Sequence, residues 1–193
     1  LAGISSLEEL FLDLDNELNR YFNSHGRNFQ SISDSSRESW IKLYNSTISS
    51  QNTQISYYNA GCLLCLVLDI ELRKSSFSLA SVIRDLYRNH QLLGTGYTRV
   101  DIRNAISKYN LKLSIELDNF LDEPNTLPIM DTLASVGLDV IKTIDDQKPL
   151  GISFSKEDNK LIIRKIDFNS SLFKSELAIG DELLSINSNR VLI

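Results

Sequence analysis

The chain has 193 residues, 42% of them hydrophobic and 23% charged, with 8 Gly, 3 Pro and a formal charge of −5. That is globular composition, enough for one large or two small domains. Its charges are scattered, with no Lys/Arg cluster to grip a phosphate backbone, which argues against nucleic acid as a partner. The longest strictly apolar run, Cys62 to Leu68, falls far short of the ~20 residues of a membrane-spanning helix. No N-terminal segment joins a positive stretch to an apolar one as a signal peptide does. The chain therefore reads as soluble, without membrane contact, and a cytoplasmic location is favoured. It starts without Met, at Leu-Ala-Gly-Ile-Ser, and is expected to be a fragment.

Apolar residues recur at helical spacing from Leu7 to Phe22, with Ser5 or Ser6 as N-cap and Glu8 and Glu9 placed for the helix dipole. His25-Gly26-Arg27 ends this helix, a Ser-rich loop follows, and Ser36 to Tyr44 forms a short segment containing Trp40, Ile41 and Tyr44. Asn45 to Thr53 reads as a polar loop. From Ile55 to Lys74 the sequence ISYYNAGCLLCLVLDIELRK is apolar almost all round, the mark of a central helix wrapped by others. Asp69 and Arg73 stand four apart and can pair on one face. Ser78 caps a helix to about Asn89. Gly94 and Gly96 break the chain, and Thr98-Arg-Val-Asp101 forms a capping box with Asp in place of Glu, opening a helix to about Tyr109. Further helices are predicted from Leu113 to Leu121 and from Ile129 to Val136, the last ended by Gly137.

After Gly137 the texture changes, with a plausible boundary at Asp145 to Pro149. GISF and KLIIRKIDF read as strands around a turn at Lys156 to Asn159, Leu172 to Leu177 as a short helix, and ELLSIN as a strand after Gly180-Asp181. The expected fold is mainly α: a helical bundle over residues 1–144, then a small β-rich module over 147–193.

The chemical inventory is thin. Cys62 and Cys65 form one C-x-x-C with apolar flanks and no second pair, which favours buried thiols acting as small hydrophobes over a metal or redox site. A redox switch there predicts rapid native-state labelling by a thiol reagent. His25 and His90 sit near helix ends, and H-E-x-x-H, G-x-S-x-G and P-loop motifs are absent, so no metal is expected in this chain. Tyr57 and Tyr58 open the greasy helix beside the small residues Asn59, Ala60 and Gly61, which leave room for a substrate or another backbone. A phenol there can serve as an oxyanion donor if water is excluded, or can be a core-rim residue with its hydroxyl in water.

Several blocks in order resemble the glycyl aminopeptidase family of zinc metallopeptidases, relatives of aminopeptidase N. They are LAGISSLEEL, HGRNFQSISDSSRESWIKLY (with Gly26, Arg27, Gln30, Ser31, Ser36, Trp40 and Tyr44 in register), ISYYNAGCLLCLVLDIELR, SLASVIRDLY, GYTRVDI and LPIMDTLASVGL. PLGISF to AIGDELLSINSNRV resembles the PDZ domain that closes many members. The resemblance implies that residues 1–144 are the C-terminal part of a gluzincin catalytic domain, followed by an incomplete PDZ-like domain. It implies a zinc aminopeptidase whose zinc motif lies upstream of Leu1, so that the 193 residues alone are inactive. It also makes Tyr58, in Tyr58-Asn59-Ala60-Gly61, the catalytic residue that stabilises the tetrahedral intermediate. The family motif has Lys where this chain has Ala60. In the PDZ-like part, Leu150, Gly151 and Ile152 match the loop whose backbone N–H groups hold a peptide carboxylate, with Ser153 and Phe154 starting the receiving strand. Partners would be a peptide substrate and a peptide or protein C-terminus. The alternative is a non-catalytic helical adaptor bearing the same peptide-binding module. The parent's upstream sequence separates the two, since only the first requires two His and a Glu in the zinc pattern.

Overall fold

The computed structural model describes residues 6–45, 47, 50–141, 150–167 and 170–191. Ser5, the alternative first cap, and the boundary at 145–149 lie outside the described residues. Helix α1, Leu7–Phe22, is opened by Ser6: its hydroxyl accepts from the Glu9 N–H, and the Glu9 carboxylate accepts from the Ser6 N–H at 2.7 Å. Ile32–Arg37 forms α2, and the chain then coils through turns that leave Trp40 and Ile41 exposed. The predicted loop of Asn45 to Thr53 contains a one-turn helix, α3, Ser50–Thr53.

Helix α4, Tyr57–Arg73, organises everything around it. Its residues Ala60, Leu63 and Val67 pack with Leu18 and Tyr21 of α1, Ile55, and Ile129 and Leu133 of α8, Ile129–Ala134. Leu64, Leu68 and Leu72, about 100° round the helix, pack instead with Val82 of α5, Leu79–Asn89, with Ala105 and Ile106 of α6, Arg99–Ser107, and with Leu113, Leu117 and Phe120 of α7, Leu111–Asp122. One helix thus serves two adjoining cores.

The remaining face of α4 corrects the expectation of a helix wrapped on every side. Tyr58, Cys62 and Cys65 recur at i, i+4 and i+7 and are exposed. The two thiols are therefore not buried hydrophobes. Period 3.6 sends positions 62 and 65 opposite the Ala60–Leu64 seam, and an apolar run in the sequence cannot display this.

Helix ends follow local chemistry with one exception. The Thr98–Asp101 box forms in both directions, with Thr98 N–H donating to Asp101 at 2.8 Å. Ser78 stands at the N-cap of α5 but makes no side-chain cap bond; Asp69 of α4 accepts from the Leu79 N–H at 2.8 Å instead, while pairing with Arg73 at 2.7 Å as predicted. Gly137, at φ 83°, follows α8 in the left-handed conformation that glycine favours.

In the C-terminal module, β1, Ile152–Glu157, pairs antiparallel with β2, Lys160–Ile166. Asp158 and Asn159 join them with φ 44° and 63°, the left-handed pair of a tight two-residue hairpin turn. The segment 180–183 runs along the other edge of β2, through Ile163 N–H to Asp181 O (2.9 Å) and Leu183 N–H to Leu161 O (2.8 Å). Ser171–Lys174 forms a short 3-10 turn where a helix to Leu177 is predicted, and β3, Ser185–Ile186, pairs with β4, Asn189–Arg190. Ile152, Ile163 and Ile166 pack with Leu172, Phe173 and Ile179 as a third core. The Phe173 ring meets His25 of the bundle edge-on, centroids 6.1 Å apart. The chain is thus mainly α with a small β-rich module at its C-terminal end. Among the described residues, no helix is long and apolar enough to cross a membrane.

Candidate active site

The site is built from the two residues before Ser56, the N-cap of α4. Gln54 and Ile55 arrive with backbone groups that have no helical partner, and three side chains from the preceding block take them up. Ser24 donates to the Gln54 carbonyl at 3.0 Å, Gln30 accepts from the Ile55 N–H at 3.0 Å, and Ser35 donates to the Ile55 carbonyl at 2.7 Å. Gln30 and Ser35 are buried, so leaving either bond unmade would cost about 1–3 kcal/mol. Gly26 completes this cradle. A Cβ at position 26 would lie 2.3 Å from the Gln54 carbonyl oxygen, so only glycine admits the strand of chain that leads into α4. Ser31, the N-cap of α2, orients the helix carrying Ser35. Arg27 lies over the rings of Tyr21 and Phe22, 5.9 and 5.4 Å from their centroids, and donates to Asn125.

The cradle fixes where α4 begins, and so where Tyr58 stands. Its ring is 61% exposed, in the first turn of a 17-residue helix. The Tyr57 ring stacks on it at 4.1 Å, and the Tyr44 hydroxyl lies 2.9 Å from its own. Tyr44 is held by its backbone N–H, bonded to Ser39 O at 2.9 Å, and by the Trp40 ring at 5.1 Å. Hydrogen bonding with Tyr44, then with Tyr57, lowers the Tyr58 phenol below its ordinary pKa, and hydrogen bonding with Tyr58, then with Tyr44, raises that of Tyr57. Dipoles of the first helical turn favour negative charge at this end. The arrangement therefore presents to solvent a phenol able to donate to a developing oxyanion.

The small residues beside it do not share one role. Asn59 and Ala60 are buried; Asn59 donates to the Glu17 carbonyl of α1 at 2.9 Å, and Ala60 is wholly inside the core. Gly61 alone leaves open space, with nothing within 4 Å of where its Cβ would be. The exposed thiols continue the same face, and both stay protonated above their ordinary range: partial burial, then the Glu17 carboxylate, raises Cys62, and burial, then Cys62, raises Cys65. Because both are exposed, labelling alone no longer separates a redox switch from plain surface thiols.

Among the described residues no group of three or more His, Cys, Asp or Glu side chains is placed to hold a metal ion. His25 contacts Asn28 and the Phe29 ring, and burial, then Arg27, lowers its pKa. His90 contacts the Gly96 carbonyl at 3.1 Å.

At the β module, Leu150 is exposed and Ile152 is buried in the third core. Gly151 has φ 60°, and its missing Cβ would lie 2.9 Å from the Ser170 Cβ. Its glycine is thus demanded by the chain's own packing, in addition to any approaching peptide. Asp167 N–H donates to the Gly151 carbonyl at 2.7 Å and Ser170 donates to the Leu150 carbonyl at 2.6 Å, which fixes the loop. Among the described residues β1 has β2 along one edge and no strand along the other. Pro149, the first residue of the matching loop, lies outside the described residues.

Sequence reading singled out Tyr58, Leu150, Gly151 and Ile152, and the structure keeps them as two separate groups on two separate elements. It missed Gln30, Ser35 and Tyr44 as parts of one assembly. All three lie in the block HGRNFQSISDSSRESWIKLY, and what that block is for appears only when its polar groups are paired with residues 54, 55 and 58.

The family model of the M61 glycyl aminopeptidases matches residues 1–64, which include the whole cradle, Tyr44 and the start of α4 through Gly61. The resemblance to glycyl aminopeptidases read from the sequence is thereby borne out. A solved structure, the aminopeptidase N family protein from Idiomarina loihiensis, is similar over 91% of this chain with a TM-score of 0.78 and 24% identity. The chain spans 33% of the length of that protein, and the likeness shows a shared fold. No curated protein matches.

Proposed function

We propose that the chain is the Tyr-bearing portion of a zinc aminopeptidase, in which Tyr58 donates a hydrogen bond to the oxyanion formed when the peptide carbonyl is attacked. The observation that carries this reading is the position of Tyr58: an exposed phenol in the first turn of a core helix, hydrogen-bonded to a second tyrosine and flanked by the open side of Gly61. The M61 match over residues 1–64 and the aminopeptidase N-type fold support it. In this reading zinc would be held by residues outside the described ones, among which no group is placed to hold a metal ion. Ala60, in the place of the family's Lys, is fully buried against the α1–α8 core and so does not reach the open face that Tyr58 occupies. Residues 1–144 would be the catalytic-domain part and residues 147–193 a separate PDZ-like unit.

The test is Tyr58→Phe in the peptidase that contains this chain. Turnover of an N-terminal glycyl or alanyl substrate is expected to fall about 10²–10³-fold with little change in KM. Unchanged turnover would retire the role of Tyr58; a parent protein without the two His and one Glu of the zinc pattern would favour the adaptor.

For the β module we propose peptide capture along the open edge of β1, with the backbone around Leu150, Gly151 and Ile152 receiving a terminal carboxylate. A peptide library ending in free carboxylates is expected to bind about tenfold more tightly than its C-terminal amides, the worth of a charge-assisted hydrogen bond. Equal binding of acid and amide would remove the carboxylate site.

A further inference from the structure

Tyr44 belongs to the same site, although it is 14 residues upstream and on a different element. Its hydroxyl lies 2.9 Å from that of Tyr58, and only one proton can sit between the two oxygens. If Tyr58 gives its proton to Tyr44, it has none left for a substrate. If Tyr44 gives to Tyr58, the Tyr58 O–H is free to point outward. An anionic acceptor in front of Tyr58 is a far better partner than a phenol, so it selects the second arrangement, a chain running from Tyr44 to Tyr58 to the acceptor. Hydrogen bonds in series polarise one another, which strengthens the outer one.

The scaffold suits this directional role. Tyr44 closes a tight turn, its N–H bonded to Ser39 O and the buried Ser39 anchoring that turn, which fixes the backbone from which the phenol projects. The Trp40 ring braces it on one side; on the other, Tyr57 stacks on Tyr58 and its hydroxyl hydrogen-bonds with both phenols, a third member of the chain that leaves the Tyr44–Tyr58 proton to be directed by the acceptor. Both hydroxyl-bearing rings are more than half exposed, Tyr44 at 53% and Tyr58 at 61%, so neither is there to fill the core. Two exposed phenols held in register by two further aromatic rings need a reason beyond packing.

We infer that Tyr44 is a positioning residue for Tyr58: it donates its hydroxyl proton to the Tyr58 oxygen and thereby directs the Tyr58 O–H at the substrate oxyanion. The inference rests on the peptidase reading, and its test is arranged so that each can fail by itself. In the 193-residue chain, tyrosine labelled with ¹³C at the ring carbon bearing the hydroxyl is titrated by NMR, the Tyr58 signal being identified by its loss in Tyr58→Phe. Tyr44→Phe keeps the ring and removes only the donor. It is expected to make the Tyr58 phenolate about fivefold harder to form, the worth of one net hydrogen bond. In the peptidase, the same variant is expected to lower kcat about fivefold at unchanged KM and to move the alkaline limb of the pH–rate profile upward with the Tyr58 signal.

An unmoved Tyr58 titration in Tyr44→Phe overturns the hydrogen-bond direction. A moved titration with unchanged kcat overturns the positioning role. Where Tyr58→Phe also leaves kcat unchanged, the oxyanion role of Tyr58 has failed, and absence of any turnover in the parent protein would remove the peptidase reading itself. A fall in kcat for Tyr58→Phe but not for Tyr44→Phe removes Tyr44 alone.

Discussion

Gly26→Ala is expected to destabilise the bundle by about 3 kcal/mol or more, at or above the upper end of what overpacking by one methyl group normally costs. The added carbon would fall 2.3–2.4 Å from the carbonyl oxygen, carbonyl carbon and nitrogen of Gln54, which are all backbone atoms. A flexible side chain could bend away from such a contact. Gln54 cannot, because its carbonyl and both polar groups of Ile55 are held by Ser24, Gln30 and Ser35. Relief therefore means moving the whole segment and stretching buried hydrogen bonds worth about 1 kcal/mol each. Urea unfolding of the variant should show a lower midpoint at an unchanged m-value. Gly61→Ala is the control on the same measurement. That glycine is helical with open space around it, so alanine should raise stability by about 0.5–1 kcal/mol. A loss of under 1 kcal/mol for Gly26→Ala would mean that the close approach at Gln54 does not govern this region.

The contrast between the two glycines indicates what could be read from the sequence and what could not. Features decided within four residues were legible. The Thr98–Asp101 box, the Asp69–Arg73 pair, Gly137 after α8 and the Asp158-Asn159 hairpin all carry their cause beside them. Features decided across the fold were not. Gly26 meets Gln54 from 28 positions away, and nothing in His25-Gly26-Arg27 distinguishes a glycine that ends a helix from one that admits a neighbouring backbone. Ser78 looked like the cap of α5 because it is of the right type in the right place, yet a carboxylate from α4 serves that end. The burial of α4 was misread for a related reason. Residues 62–68 are apolar in every direction, so the periodicity that would have set Cys62 and Cys65 apart from Leu63 and Leu64 is absent from the sequence and appears only in the packing. Tyr58 was legible as a candidate because its neighbours resemble a family block; Tyr44 was not, since hydroxyl partners on separate elements leave no local trace.

Leu72→Ala is expected to cost about 2–5 kcal/mol, the range for truncating a fully buried leucine. Leu72 lies near the end of α4, enclosed by the core that α5, α6 and α7 share, and its methyl groups have no solvent to relax into. That core adjoins the one holding Ala60 and Leu63 along a single helix, so its loss should be transmitted to the whole bundle as one cooperative transition, read from the helical circular dichroism. Ile163→Ala makes the counterpart in the β module. Ile163 is as deeply buried, but its core is a separate cluster of Ile152, Ile163 and Ile166 with three half-buried neighbours. If residues 1–144 and 147–193 are the independent units proposed, Ile163→Ala should leave the helical transition nearly unmoved while weakening peptide capture at β1, and the two substitutions should add when combined. The opposite outcome, an Ile163→Ala chain whose helical midpoint drops as far as that of Leu72→Ala, would make the β module part of the bundle's own stability. A peptide bound at β1 would then bear mechanically on α4 and on the phenol it carries.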